Sequence, residues 1–324
     1  MRATDLKSPF APYIEGLLAQ KRAGGYIYDS EAKTLESFDR FYIEQGLVGA
    51  EITRDIFMAW AEQRETENLA TRARRATVLR QLALYMKALG KDAYVSNISF
   101  STNKAVVHVL SAKELAALFA VIDTYTIGIP ALRYFELEYR LLFRLYYCCG
   151  MRLFEGVKLT WQDVDLTDGS ITILQSKGRK DRVVYMADDL CGFLSDYLLA
   201  MKRLVPETPW VFPGRDPSKH IVKHSVCRKF REFWAKTPYA EHCDKQPTPH
   251  CLRHTYVVDK MNEWMAQGKD LGVMMAYLSA YLGHSTMEET FYYYHHTHKA
   301  SSIIKAKDIM SSVVIPEVTA HGYR

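Results

Sequence analysis

The chain has no apolar run of the roughly 18 residues that span a bilayer. The longest candidate, 271–283, is too short and carries Ser279. The opening Met1-Arg2-Ala3-Thr4-Asp5 lacks the apolar core of a secretory leader. The six cysteines form no C-x-x-C pair, so a disulfide framework is not expected. These absences point to a cytoplasmic protein with reduced thiols and no membrane association. A zinc site could be drawn from His242, Cys243, His250 and Cys251, but that spacing matches no usual finger. No G-x-x-x-x-G-K phosphate loop is present, and no carboxylate cluster suggests a two-metal nuclease. No metal, no cofactor and no small-molecule substrate are therefore expected.

What is present is an ordinary globular composition. The 324 residues are 48% hydrophobic and 24% charged, long enough for two domains that each bury a core. A net charge of +5 is only mildly basic, so the distribution of charge says more than its sum. No internal repeat or low-complexity segment stands out.

Helical patterns fill the first part: 9–22, 30–45, 53–63 and 69–89, the last ending at Gly90. That last helix carries Arg72, Arg74, Arg75 and Arg80 with almost no acid between them. Such a run is either a solvated face or a face that tracks DNA phosphates. Helical periodicity fades over 94–107. The expected organisation is a helical domain at 1–100, a linker at 101–110, a second domain at 111–305 and a tail at 306–324. Ser111 with Glu114 has the capping-box spacing. The apolar stretch 136–149 reads as a core helix closed by Gly150. Two alternating β-branched stretches, 170–174 and 182–186, flank the basic turn Lys177-Gly178-Arg179-Lys180 and read as a β-hairpin. Helices are expected at 188–204, 225–236, 249–267 and 271–282, with Thr248 capping the third of these ahead of Pro249.

Five pieces carry polar chemistry, and each has a plain structural alternative. His250 and Arg253 lie one turn apart near a helix start, where an anion is favoured, although an isolated H-x-x-R is usually surface. Arg152 is followed three residues later by Glu155, which could orient it or be a weak surface pair. Lys177 on the hairpin tip, with Arg179, Lys180 and Arg182 around it, could reach a leaving oxygen or simply be solvated. His284 follows Gly283 at a helix end, a common structural position. Tyr293 stands nine positions beyond His284, inside Phe291-Tyr292-Tyr293-Tyr294. An aromatic run is usually core, and one of 21 tyrosines is not conspicuous alone.

Taken together, Arg152, Lys177, His250-x-x-Arg253, Gly283-His284 and Tyr293 resemble, in order and spacing, the tyrosine recombinases of the phage-integrase and Xer- and Cre-like kind. The wording around Gly283-His284 resembles recombinases of bacterial mobile elements. The resemblance covers nearly the whole chain. It implies a mainly α, two-domain clamp: a helical core-binding (SAM-like) domain and an α+β catalytic domain with a small antiparallel β-sheet. It implies strand cleavage and rejoining through a 3′-phosphotyrosyl intermediate, for integration, excision or resolution of DNA. Tyr293 would be the nucleophile. Arg152 and Arg253 would clamp the non-bridging oxygens, and Lys177 would act as general acid. His250 would assist proton transfer, His284 would donate to the phosphate, and Glu155 would support the cluster. Arg72, Arg74, Arg75, Arg80, Arg179, Lys180 and Arg182 would contact duplex DNA. Synapsis would need a tetramer on two DNA sites, and the apolar run at 303–315 could dock on a neighbouring protomer. Glu288 and Glu289 should point away from the phosphate, and there is no room for an extra arm-binding domain. Two alternatives remain: a relaxing enzyme like the type IB topoisomerases, and a catalytically silent DNA-binding protein of the same fold.

Overall fold

A computed structural model describes residues 6–102, 108–174, 181–243 and 245–294. The hairpin tip with Lys177, Arg179 and Lys180, and the segment after 294, lie outside the described residues. The chain divides into two compact units, Met1–Ala105 and Val106–Arg324.

The first unit consists of α1 (Ala11–Ala23), α2 (Asp29–Glu44), α3 (Arg54–Trp60) and α4 (Leu69–Ala88). Their apolar stripes meet around Phe10, Phe38, Tyr42, Trp60, Leu79 and Leu82. Asn68 caps α4, accepting from the Thr71 amide at 2.8 Å. Arg75 corrects the expected phosphate-tracking face. It is 5% exposed, because it falls in the same helical stripe as Leu79 and Leu82. Its guanidinium holds both oxygens of Glu67 at 2.6 Å and lies 4.8 Å from the Trp60 ring. Arg72 donates to the Ala61 carbonyl and covers Phe100, and Arg80 donates to the Ile98 carbonyl. Arg74 alone of the four is exposed.

The second unit contains α5 (Ala112–Asp123), α6 (Tyr134–Cys148), α7 (Leu153–Val157), α8 (Asp188–Leu204), α9 (Lys223–Trp234), α10 (His250–Ala266), α11 (Leu271–Leu282) and α12 (Glu288–Tyr294). The capping box forms as the spacing requires, with Ser111 and Glu114 exchanging hydrogen bonds. Thr248 does not cap α10. Its hydroxyl lies 4.0 Å from the Cys251 thiol instead. The antiparallel sheet gains a strand beyond the expected hairpin: β1 (Val164–Asp165), β2 (Ser170–Ile173) and β3 (Arg182–Tyr185), in that order. Ile171 faces Val184 and Ile173 faces Arg182. Ile171, Ile173 and Val184 are buried, so the period of two puts Arg182 on the core side of β3.

α6 runs through the core of this unit, burying Leu141, Leu142, Phe143 and Leu145. It also buries Glu138 completely. Neither carboxyl oxygen has a hydrogen-bond partner among the described residues. Among those residues no helix is long and apolar enough to cross a membrane, and no cluster of three or more His, Cys, Asp or Glu could hold a metal.

Candidate active site

Gly150 ends the core helix with φ +60°. A Cβ there would come within 2.6 Å of the Tyr256 ring, so only glycine turns the chain at this point without a shift. Its carbonyl accepts from Arg253 Nη1 at 2.5 Å. Gly283 ends α11 in the same left-handed region, at φ +64°, and its carbonyl accepts from Arg152 Nη2 at 2.7 Å. Two helix ends thus orient two guanidinium groups. The other Arg253 terminal nitrogen lies 2.9 Å from both the Leu282 carbonyl and His284 Nε2. His284 Nδ1 is fixed in turn by the Thr290 hydroxyl at 2.7 Å.

Glu155, on α7, accepts from the Arg152 amide at 2.6 Å and from Arg152 Nη1 at 3.1 Å. It also takes both terminal nitrogens of Arg182 at 2.7 Å. The Arg182 and Glu155 side chains are 7% and 6% exposed. Arg182, expected among the basic residues of the hairpin tip, is therefore an internal strut, because its phase on β3 points it inward.

A cavity of about 450 Å³ opens among Arg152, His250, Arg253, His284 and Tyr293. Tyr293 is 7% exposed, on α12, between the rings of His254 at 4.8 Å and His284 at 6.1 Å. Burial raises its pKa above the ordinary phenol range. The Arg253 guanidinium, by charge and hydrogen bond, pulls it back. Burial, Arg152 and other charges lower the pKa of Arg253 to about 10, so it stays cationic at neutral pH. His250 keeps an edge open to solvent. Burial of the rest of the ring, then Arg253 and Arg152, hold its pKa near 4. Burial and Arg253 hold His284 near 3, and burial and His250 hold His254 near 3. The cavity is a pair of cations set among neutral imidazoles beside a phenol, a field suited to a phosphodiester.

A model of the phage integrase family matches residues 108–300. This chain belongs to the phage integrase family. Integrase/recombinase y4rE of Sinorhizobium fredii (strain NBRC 101917 / NGR234) is 28% identical over 86% of this chain and 89% of its own length. Tyrosine recombinase XerC of Chlamydia pneumoniae is 31% identical over 50% of this chain and 48% of its own. The solved XerH site-specific recombinase, bound to a palindromic difH substrate after cleavage, is similar in fold. Its TM-score is 0.65 at 19% identity, over 87% of this chain and 79% of that one. The mainly helical fold with its small antiparallel sheet is the class expected. This integrase-family chain is a tyrosine site-specific recombinase acting on DNA, an enzyme of the cleavage-and-religation class.

Two features of this integrase-family site differ from expectation. Glu288 and Glu289, expected to point away, line the cavity, and Glu289 adds to the upward pressure on the Tyr293 pKa. Both start α12, where a helix N-terminus accommodates negative charge. Tyr292, not placed among the site residues by the sequence, also borders the cavity, with its ring 5.9 Å from Tyr293. Other residues at the site that were not picked out from the sequence are Arg182 in its internal position, His254, Thr290 and Thr286, which lines the cavity. His254 had a signal, since it stands one turn beyond His250 on the same helix.

Proposed function

We propose that Tyr293 attacks the scissile phosphodiester of a duplex recombination site and forms a 3′-phosphotyrosyl bond that later reseals without a high-energy cofactor. The observation that carries this is the convergence of Arg152, Arg253, His250, His284 and Tyr293 on one cavity. A phenol with a pKa of roughly 10 is a poor nucleophile until a base and positive charge assist it. Arg253 supplies the charge, and His250, neutral and open to the cavity, can accept the proton. Arg152 and Arg253 grip the non-bridging oxygens and stabilise charge that builds in the transition state. His284 donates to the phosphate from Nε2 in the tautomer whose Nδ1 accepts from the Thr290 hydroxyl, with Nε2 exchanging its contact with Arg253 for one with the phosphate. Lys177 protonates the departing 5′ oxygen, and Glu155 holds Arg152. A phosphotyrosine is itself an acceptable leaving arrangement, so the bond energy is retained for rejoining.

The DNA partner is a duplex recombination site, of the kind bound by the XerH recombinase. Synapsis joins protomers as a tetramer on two such sites. Arg74 is the α4 residue best placed to meet a phosphate backbone from the surface of its unit.

A nicked suicide substrate tests the nucleophile. Wild-type protein should form a covalent adduct that Tyr293→Phe abolishes. An adduct that persists in Tyr293→Phe and disappears in Tyr292→Phe or Tyr294→Phe overturns the assignment.

A further inference from the structure

His254 has no part in the chemistry described above, yet it occupies the space between two groups that do. Its ring centroid lies 4.3 Å from that of His250, edge to face, and 4.8 Å from that of Tyr293. It sits on α10 directly after Arg253, so the same rigid helix carries His250, Arg253 and His254. Its Nδ1 is buried and has no hydrogen-bond partner among the described residues. A buried polar atom left unmatched works against stability. Nδ1 therefore does not hold the ring, whose packing is against the rings of His250 and Tyr293.

The geometry points to His254 as a positioning residue for strand cleavage: its flat ring fixes the Tyr293 phenol against Arg253 and at a set separation from His250. The inference rests on Tyr293 being the nucleophile. Ring–ring packing at this distance is directional, and a displacement of a nucleophile by about 1 Å is enough to slow a reaction on the order of 100-fold. An aliphatic side chain of similar bulk would fill the space without imposing that orientation.

The test compares His254→Leu with His254→Phe in the full-length protein. Single-turnover cleavage of the suicide substrate is measured at saturating protein, with DNA affinity and melting temperature alongside. His254→Leu should cleave at least 10-fold more slowly with DNA affinity unchanged. His254→Phe, which keeps a ring and removes the unmatched nitrogen, should recover most of that rate and melt at a higher temperature. A Leu variant as fast as wild type overturns the inference, and so does a Phe variant as slow as the Leu variant. Recovery by His254→Gln without recovery by His254→Phe also overturns it, since the nitrogen would then be what matters. An adduct in Tyr293→Phe defeats the nucleophile assignment itself, whatever the His254 series gives.

Discussion

Glu155 and Arg182 meet through both carboxylate oxygens and both terminal guanidinium nitrogens, each at 2.7 Å. Both side chains are nearly excluded from solvent, and the same carboxylate also holds Arg152. Removing one partner of such a pair leaves a buried charge uncompensated, which typically costs about 3–5 kcal/mol. Arg182→Ala leaves Glu155 with Arg152 as its remaining partner, so it should lose less than that, about 1–3 kcal/mol, in a denaturant titration. Cleavage should fall as well, because Arg152 loses its aligned support. Arg182→Ala with wild-type stability would show that the pair is dispensable.

Arg75 and Arg74 should separate cleanly. Arg75→Ala removes both guanidinium contacts from the nearly buried Glu67 carboxylate and should destabilise the first unit by about 3–5 kcal/mol, read by chemical denaturation. Arg74→Ala should leave stability within about 0.5 kcal/mol and reduce the slope of log affinity against log salt by about one. A large salt-slope change in Arg75→Ala without loss of stability would reverse the assignment.

The histidine environment sets an acid limit on stability. His254 and His284 have folded pKa values near 3, below the roughly 6.5 of an unfolded histidine. The unfolded chain then binds more protons between about pH 6.5 and 3, so their contribution is full above about 6.5 and falls as pH drops through that window. Melting temperature should decline on acidification below about pH 6.5, and the slope should lessen in His284→Asn. His250, open to solvent, should contribute less to this slope.

Glu138 works in the opposite sense. Burial raises its folded pKa well above the usual carboxyl value. Its contribution is therefore present below the unfolded pKa and is lost as pH rises toward the folded one. Glu138→Leu should stabilise the second unit at neutral pH by about 1–3 kcal/mol, with a smaller gain near pH 4. A destabilising Glu138→Leu would mean that the carboxyl has a partner after all.

The helices were legible because their apolar positions recur with the helical period, and the Ser111–Glu114 cap was legible because its partners are local. The arginines of the site were visible in H-x-x-R and in Gly150-Met151-Arg152. Their surroundings were not. Glu155 on α7 and Arg182 on β3 are 27 residues apart, and a contact between elements so distant in sequence leaves no local signature. Arg75 looked like part of a basic face because Glu67, its acid, precedes α4 rather than sitting within it. In the stretch from Arg182 to Met186 either phase of alternation was plausible, and only the register against Ile171 and Ile173 decides which face is inside. β1, two residues long, is too short to show any periodicity.

The carbonyls that close two helices, at Gly150 and Gly283, are the same atoms that aim Arg253 and Arg152. In the proposed mechanism, local order at those helix ends and readiness to cleave are therefore one property. A substitution that merely frays the end of α11 would disarm the enzyme while most of the molecule stays folded. Cleavage rate thus serves as a sensor of local melting more sensitive than any measure of global unfolding.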